Sequence, residues 1–257
     1  WTALKARPFG KVADPETRPQ RIFVTAMDTR PLAPATETLL RGRDEEFEAG
    51  LRVLGRLTEK IYVCKARGSA LNVPGLDQIS VEEFAGPHPA GLPGTHIHFI
   101  SPVRREKIVW HLDATDVADI GELFTTGHIN TQCTVALAGP AVIKPRLIQT
   151  RKGAFLQDIL ENELKEGENR VISGSVLDGN QAADTVNYLG RYHHQISVLA
   201  ESKKRVFLGW TSFSSDLFSV KHLTLASLFP KKRFQFTTNQ HGSERAIVPL
   251  GTYEKVM

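Results

Sequence analysis

The order in which two hydrophobic patterns alternate does most to limit what this chain can fold into. Arg21-Ile22-Phe23-Val24-Thr25-Ala26-Met27 is a short run of β-formers, closed by the turn residues Asp28-Thr29-Arg30-Pro31. From Asp44 the period becomes helical. Phe47, Leu51, Leu54 and the neighbouring Leu57 share one face, and acids fill the first turn. Ile61-Tyr62-Val63-Cys64 is a second strand, Ile79 and Val81 alternate in a short third, and Lys107–Leu112 is a fourth. Asp113-Ala114-Thr115 then offers caps for a helix lined on one side by Val117, Ile120 and Leu123-Phe124. Strand, helix, strand in that order predicts a parallel, Rossmann-like α/β layer over residues 21–130. Residues 1–20, with the steps Arg7-Pro8, Asp14-Pro15 and Arg18-Pro19, read as an extended connector.

The pattern changes after residue 130. Thr134–Pro140 is a strand closed by Gly139-Pro140, with Arg146–Thr150 as its hairpin partner. Gly153–Leu160 is a short helix, and Asn169–Leu177 returns to strand. A hairpin, a helix and a strand within about fifty residues predict a small α+β, β-grasp-like domain over 131–200. Beyond it, Ile196–Leu199, Val206–Trp210, Phe234–Thr237 and Ala246–Val248 read as strands, with Asn239–Gly242 as a turn. Residues 201–257 therefore form a mostly β segment. It is also basic: nine Lys and Arg against four Asp and Glu give +5, while residues 1–200 carry −1.

Composition and motif content exclude several chemistries. Two cysteines, Cys64 and Cys133, cannot supply a disulfide scaffold, a four-cysteine zinc site or a four-thiolate cluster. The most apolar stretch, Cys133–Ile143, is too short for a bilayer, which takes about twenty residues. No signal peptide is visible, and with Trp1 in place of Met the chain reads as an excised piece or a processed product. Neither G-x-G-x-x-G nor G-x-x-x-x-G-K-[ST] occurs, so the phosphate-binding turn of a dinucleotide fold is missing. Ser173-Gly174-Ser175-Val176 fails the spacing of a nucleophile elbow.

The densest polar constellation is His88-Pro89-Ala90-Gly91-Leu92-Pro93-Gly94-Thr95-His96-Ile97-His98, followed by His111 on the next strand. If extended, His96 and His98 project to one face, but a metal would need a third ligand from elsewhere, and no metal site is assigned. Gly91 and Gly94 imply a backbone that approaches something closely, either a ligand or a neighbouring helix. Asp113 closes a strand as a cap or faces a crevice. Lys203-Lys204-Arg205 and Lys231-Lys232-Arg233 are solvated turns, or a surface for anionic lipid or an acidic partner. Nucleic acid is disfavoured, because Phe229, Phe234 and Phe236 read as strand core rather than a stacking platform.

Several longer strings carry a resemblance that covers essentially the whole chain. They include Ile22–Thr29, His88–His98, Ile120–Gly127, Val135–Pro140, Pro145-Arg146-Leu147 with Gly153-Ala154, Leu189–His193 and Pro249–Met257. Together they resemble the A-subunit family of the bacterial sodium-translocating NADH:quinone reductase, without its N-terminal biotinyl/lipoyl-like and C-terminal helical portions. The resemblance implies a peripheral subunit on the cytoplasmic face of the bacterial inner membrane. Its complex passes electrons from NADH to ubiquinone and exports Na⁺. It further implies kinship with the flavin- and NADH-binding subunit of respiratory complex I, whose Rossmann-like layer and small β-grasp (SLBB) domain it shares. The glycine loop for FMN and the cysteine set for an iron–sulfur cluster are lacking here. No redox cofactor is therefore expected on this chain; FMN, riboflavin, FAD and iron–sulfur centres are expected on partner subunits, and the partner expected above all is the quinone-site membrane subunit.

Two functions follow. In one, the chain contributes to ubiquinone binding at the carboxyl ends of the parallel strands, through Met27, Asp28, His88, Gly91, Gly94, His96, His98, His111 and Asp113. In the other it is a degenerate relative retained for docking, with no ligand site.

Overall fold

The computed structural model describes residues 1–104, 107–202, 225–229 and 238. It divides into two compact units, Trp1–Gln132 and Cys133–Met257, each described by itself.

The first unit contains β1 (Lys5–Arg7), β2 (Lys11–Val12), β3 (Arg21–Ala26), α1 (Thr36–Leu39), α2 (Asp44–Leu54) and β4 (Ile61–Ala66). It continues with β5 (Ile79–Phe84), α3 (Pro93–Ile100), β6 (Val109–Asp113) and α4 (Ala114–Thr126). Its six strands lie in the order β2-β1-β6-β3-β4-β5. β6, β3, β4 and β5 are mutually parallel, with Phe23 opposite His111 and Tyr62, and Thr25 opposite Asp113 and Cys64. This is the expected parallel α/β layer. Because β4 and β5 follow β3 on one side and β6 lies on its other side, the order reverses between β3 and β6. That switch point is where open α/β sheets leave a crevice.

Alternation along the strands sorts the side chains onto two faces. Ile22, Val24, Ile61, Val63, Trp110 and Leu112 join Phe47, Leu51 and Leu54 of α2 and Val117 of α4 in the larger core. Each such side chain contributes about 1.5–3 kcal/mol on burial. Phe23, Cys64 and Val109 face the other way, against Ile97 of α3.

Three sequence expectations change here. Residues 1–20, expected as a connector, carry β1 and β2, and β1 pairs antiparallel with β6. Trp1 sets its ring edge-on to Trp110 at 5.5 Å and donates to the Ala13 carbonyl, and strands of three and two residues are too short to show a readable periodicity. The fourth strand runs from Val109 rather than Lys107. In α4, Leu123 and Phe124 are exposed; the buried positions are Ala114, Asp116, Val117, Ala118 and Gly121. Small residues face inward because α2 and α4 cross closely. A Cβ on Gly50 would stand 1.9 Å from the Val117 carbonyl oxygen, and one on Gly121 would stand 1.8 Å from that of Glu46.

The second unit contains β7 (Gln132–Ala138), β8 (Arg146–Arg151), α5 (Leu156–Ile159), β9 (Asn169–Ser173), β10 (Asn180–Gln181) and β11 (Gln195–Ala200). Its strands lie in the order β10-β9-β11-β7-β8, with β11 parallel to β7 and antiparallel to β9. Val135, Leu137, Leu156, Ile196 and Val198 fill its core, giving the small α+β unit the sequence suggests. Gly139, which ends β7, has φ of 128°, and a Cβ there would meet the Val198 carbonyl oxygen at 2.2 Å. The strands and turn expected from Val206 onward, and both basic triplets, lie outside the described residues.

Candidate functional site

The carboxyl edge of the first sheet gathers most of the candidate side chains. Met27 and Asp28 follow β3 directly, and Met27 is buried. Asp28 accepts hydrogen bonds from the Arg30 backbone N–H (2.8 Å) and its guanidinium (3.2 Å). This turn leads into an irregular segment, and α1 starts only at Thr36, so no helix N-terminus stands over the end of β3 where a pyrophosphate would need one. Across the switch point Asp113 caps α4: its carboxylate accepts from the Thr115 N–H and hydroxyl, both at 2.9 Å.

The segment from His88 to His98 lies over the same edge, but not as an extended loop. Thr29 Oγ1 accepts the Gly91 N–H at 2.9 Å and shares a hydrogen bond with His88 Nδ1 at 3.1 Å. A Cβ on Gly91 would lie 2.6 Å from the Thr29 nitrogen. The close approach implied by this glycine is thus to the end of β3, not to a helix.

From Pro93 the chain is helical, which overturns the shared-face expectation for His96 and His98. Two residues apart on a helix they point roughly oppositely: His96 is fully buried and His98 exposed. A sequence signal for this helix existed, since Pro93 occupies its first turn, a favoured place for proline. It was obscured because Leu92 offers no capping side chain. Among the described residues no group of three or more His, Cys, Asp or Glu could hold a metal.

His96 bridges helix and sheet. Its Nε2 donates to the Ala90 carbonyl (2.9 Å) and its ring packs on Phe84 at 4.4 Å, which leaves Nδ1 buried without a partner. Burial pulls its pKa down to about 4, against a small upward pull from the Ala90 bond. His111, on the α3 face of β6, is 9% exposed, and its Nε2 has no partner. Burial, then the nearby Arg7 and Lys5 charges, take its pKa down to about 3. Both rings are therefore neutral at pH 7.

Two residues that sequence reasoning missed complete this face. Thr25, opposite Asp113 and on the same face as His111, buries a hydroxyl without a partner. Arg7, on β1, has a buried Nε without a partner, and its terminal nitrogen comes within 3.7 Å of where a Cβ on Gly94 would stand. Thr25 reads as an ordinary strand residue and Arg7 as part of a connector, so only the sheet register reveals them. Met27, Asp28, His88, Gly91 and Asp113 thus belong to one end of the sheet, while His111 lies at mid-strand in β6, opposite Phe23. Gly94 and His96 sit on the covering helix, and His98 points away.

The second unit holds a separate polar cluster. Ser173 Oγ accepts the Gly190 N–H (2.9 Å) and shares a hydrogen bond with His193 Nδ1 (2.8 Å), tying the Gly190–His193 turn to β9. The same unit has a cavity of about 670 Å³ lined by Phe155, Leu160, Leu164 and Val171, with Asp158 and Glu161 also in its lining.

Comparison with known proteins places these units. Residues 1–129 match the family described as the NqrA second alpha/beta domain, and residues 134–184 the NQRA C-terminal domain. The A-subunit of the Na(+)-translocating NADH-quinone reductase of Pasteurella multocida (strain Pm70) is 51% identical over 258 residues. That of Yersinia pestis is 49% identical over 258 residues, and that of Pseudomonas aeruginosa (strain UCBPP-PA14) 51% over 257. Each alignment covers 100% of this chain, and the chain spans 58% of the length of each relative. Among solved structures, an NAD+-reducing [NiFe]-hydrogenase in the H2-reduced state superposes with a TM-score of 0.50 at 12% identity. The match covers 70% of this chain and 40% of that one, a likeness of fold alone.

Proposed function

The chain belongs to the NqrA family, and from that premise we propose that it forms part of the A-subunit of a sodium-translocating NADH–quinone reductase. In this reading the complex passes electrons from NADH to ubiquinone and exports Na⁺. The chain contributes to ubiquinone binding and to docking against the other subunits, including the quinone-site membrane subunit, at the cytoplasmic face of the membrane. The flavins and iron–sulfur centres belong to the partner subunits. No described helix is long and apolar enough to cross a membrane, in keeping with a peripheral attachment. The basic segment 201–257 would face anionic lipid or a membrane partner, each cation adding about 1 kcal/mol near such a surface.

One observation carries the quinone assignment. Thr25 and His111 are nine-tenths buried on adjacent strands at the switch point, on the same face, and neither Thr25 Oγ1 nor His111 Nε2 has a partner. A buried donor left unpaired costs about 1–3 kcal/mol, a cost that persists where a ligand relieves it. A quinone presents two carbonyl acceptors on a flat apolar ring, which matches two donors set beside Phe23 and Met27. The His88–Gly91 segment is tied to the turn after β3 through Thr29 Oγ1, and α3, which follows it, packs its Ile97 against Phe23 on this face.

Titration of the chain with a short-chain ubiquinone analogue tests this. Thr25→Val and His111→Gln should each weaken binding roughly three- to tenfold, the worth of one hydrogen bond. His98→Ala should leave it unchanged. The chain should be colourless; a yellow preparation releasing FMN on denaturation would overturn the placement of flavin on the partners. Absence of binding by this chain together with binding by the whole subunit sinks the local site. It favours instead the docking reading, which has its own support: Asp28, Thr29, Gly91 and Asp113 spend polar groups on one another and on nearby backbone.

A further inference from the structure

The opposite edge of the first sheet carries a feature that the quinone reading does not use. The amino-terminal ends of β3, β4 and β5 and the turn after α2 enclose an open groove of about 890 Å³. Arg18, Arg21, Arg56 and Lys60 line it, against one acid, Glu59. None of these four cations forms an ion pair with a carboxylate among the described residues. Elsewhere in the same unit Arg43 is paired with Asp119 and Glu122, and Arg52 with Glu48. An uncompensated set in one concavity raises the local positive potential and draws anions to it.

The groove is built rather than merely solvated. Arg21 donates to the Tyr62 hydroxyl at 2.6 Å and lies 5.7 Å over that ring, which itself stacks on Phe23 at 5.0 Å. Thr58 is buried, and its hydroxyl donates to the Gln20 carbonyl at 3.0 Å, tying the turn after α2 to the start of β3. The Gln78 side-chain oxygen lies only 2.6 Å from where a Cβ on Gly55 would stand, so that position admits nothing larger than glycine without displacing Gln78.

The backbone chemistry here selects among anions. Phosphate sites use helix N-termini, where free N–H groups and the positive end of the dipole meet. This groove has the opposite pole: α2 ends at Leu54, and the Gly55, Arg56 and Leu57 carbonyls accept no hydrogen bond among the described residues. A site offering both cations and unfilled carbonyls suits a ligand with both carboxylates and N–H donors. We propose that this groove docks an acidic polypeptide segment of a partner protein. Its Asp or Glu side chains engage Arg18, Arg21, Arg56 and Lys60, and its backbone N–H groups meet the carbonyls after α2.

Fluorescein-labelled poly-L-glutamate is the probe, with the whole chain as it stands. Binding should weaken steeply with added salt, and Arg18→Glu with Arg56→Glu should lower the affinity about tenfold or more. The same charge change at the exposed Lys144 and Arg151 of the second unit should leave it unaltered. Lys60 is the one lysine of the lining and is only half-exposed, so carbodiimide coupling in the complex should join the probe chiefly to Lys60. Conjugates spread over the exposed lysines, or equal losses from the two charge reversals, overturn the proposal. Displacement of the probe by millimolar inorganic phosphate, or by phosphatidylglycerol vesicles, overturns it too and reassigns the groove to a phosphate ligand or a lipid surface. None of these outcomes bears on the quinone site at the other edge.

Discussion

His96 and His111 are held as neutral rings among apolar neighbours, and this gives the first unit a defined response to acid. Their pKa values in the folded chain, about 4 and about 3, lie below the 6.5 of an unfolded histidine. As pH falls, the unfolded chain therefore binds protons that the folded one refuses. Stability attached to these rings is complete above about pH 6.5 and is lost as pH drops from there toward the folded values. The loss reaches up to about 1.4 kcal/mol per pH unit for each ring. Urea unfolding of the parent and of His111→Gln at several pH values between 7 and 4.5 checks this. The parent is expected to be the more stable at neutral pH, with the gap narrowing as pH falls; a gap independent of pH sinks the account. The histidines themselves were conspicuous in the sequence, but their states were not. The conformation of 93–100 decides which ring is buried, and the neighbours Arg7 and Lys5 arrive from a strand that carries no periodic signal.

At the scale of the element, the α2–α4 crossing is the tightest feature of the first unit. Gly50 and Gly121 bring backbone against backbone, and an added methyl group would stand under 2 Å from a carbonyl oxygen at either position. Gly→Ala in a helix interior normally gains up to about 1 kcal/mol. Here overpacking should win, because the obstructing atoms are main chain and cannot rotate away. Gly50→Ala and Gly121→Ala are each expected to destabilise by roughly 1–3 kcal/mol, read as a lowered urea midpoint with an unchanged m-value. A stabilising effect of either would show that the helices sit farther apart. The same crossing explains what could be read from the sequence and what could not. The inward face of α2 was legible, since Phe47, Leu51 and Leu54 are large and correctly spaced. The inward face of α4 is legible only in part: Val117 and Ile120 do face the core, but hydrophobicity favours Leu123 and Phe124 where the geometry admits Ala118 and Gly121. A close helix pair inverts the usual cue: the buried residues are the small ones.

For the whole molecule, the alternation of strand and helix was enough to foresee a parallel layer followed by a smaller mixed unit. The sheet order was beyond it, since β1 enters antiparallel beside β6 from a segment with no strand pattern. Each unit closes its own core: Ile22, Phe47, Leu51 and Trp110 in the first, Val135, Leu137, Ile196 and Val198 in the second. A core assembled within one stretch of chain needs no other stretch to bury it, and about 130 residues suffice for an autonomous domain. A chain ending at Thr131, just before β7, should therefore unfold in urea as one cooperative transition. Gly121→Ala should shift that midpoint by the same amount in the short and the full chain, because all of its close neighbours lie in α2. In the full chain it should leave unfolding of the second unit, followed through Tyr188 and Tyr192, where it was. If the short chain shows no cooperative transition, the first core depends on contacts supplied from beyond residue 131. The charge asymmetry between residues 1–200 and 201–257 would then have to be weighed as part of folding, not only of surface attraction.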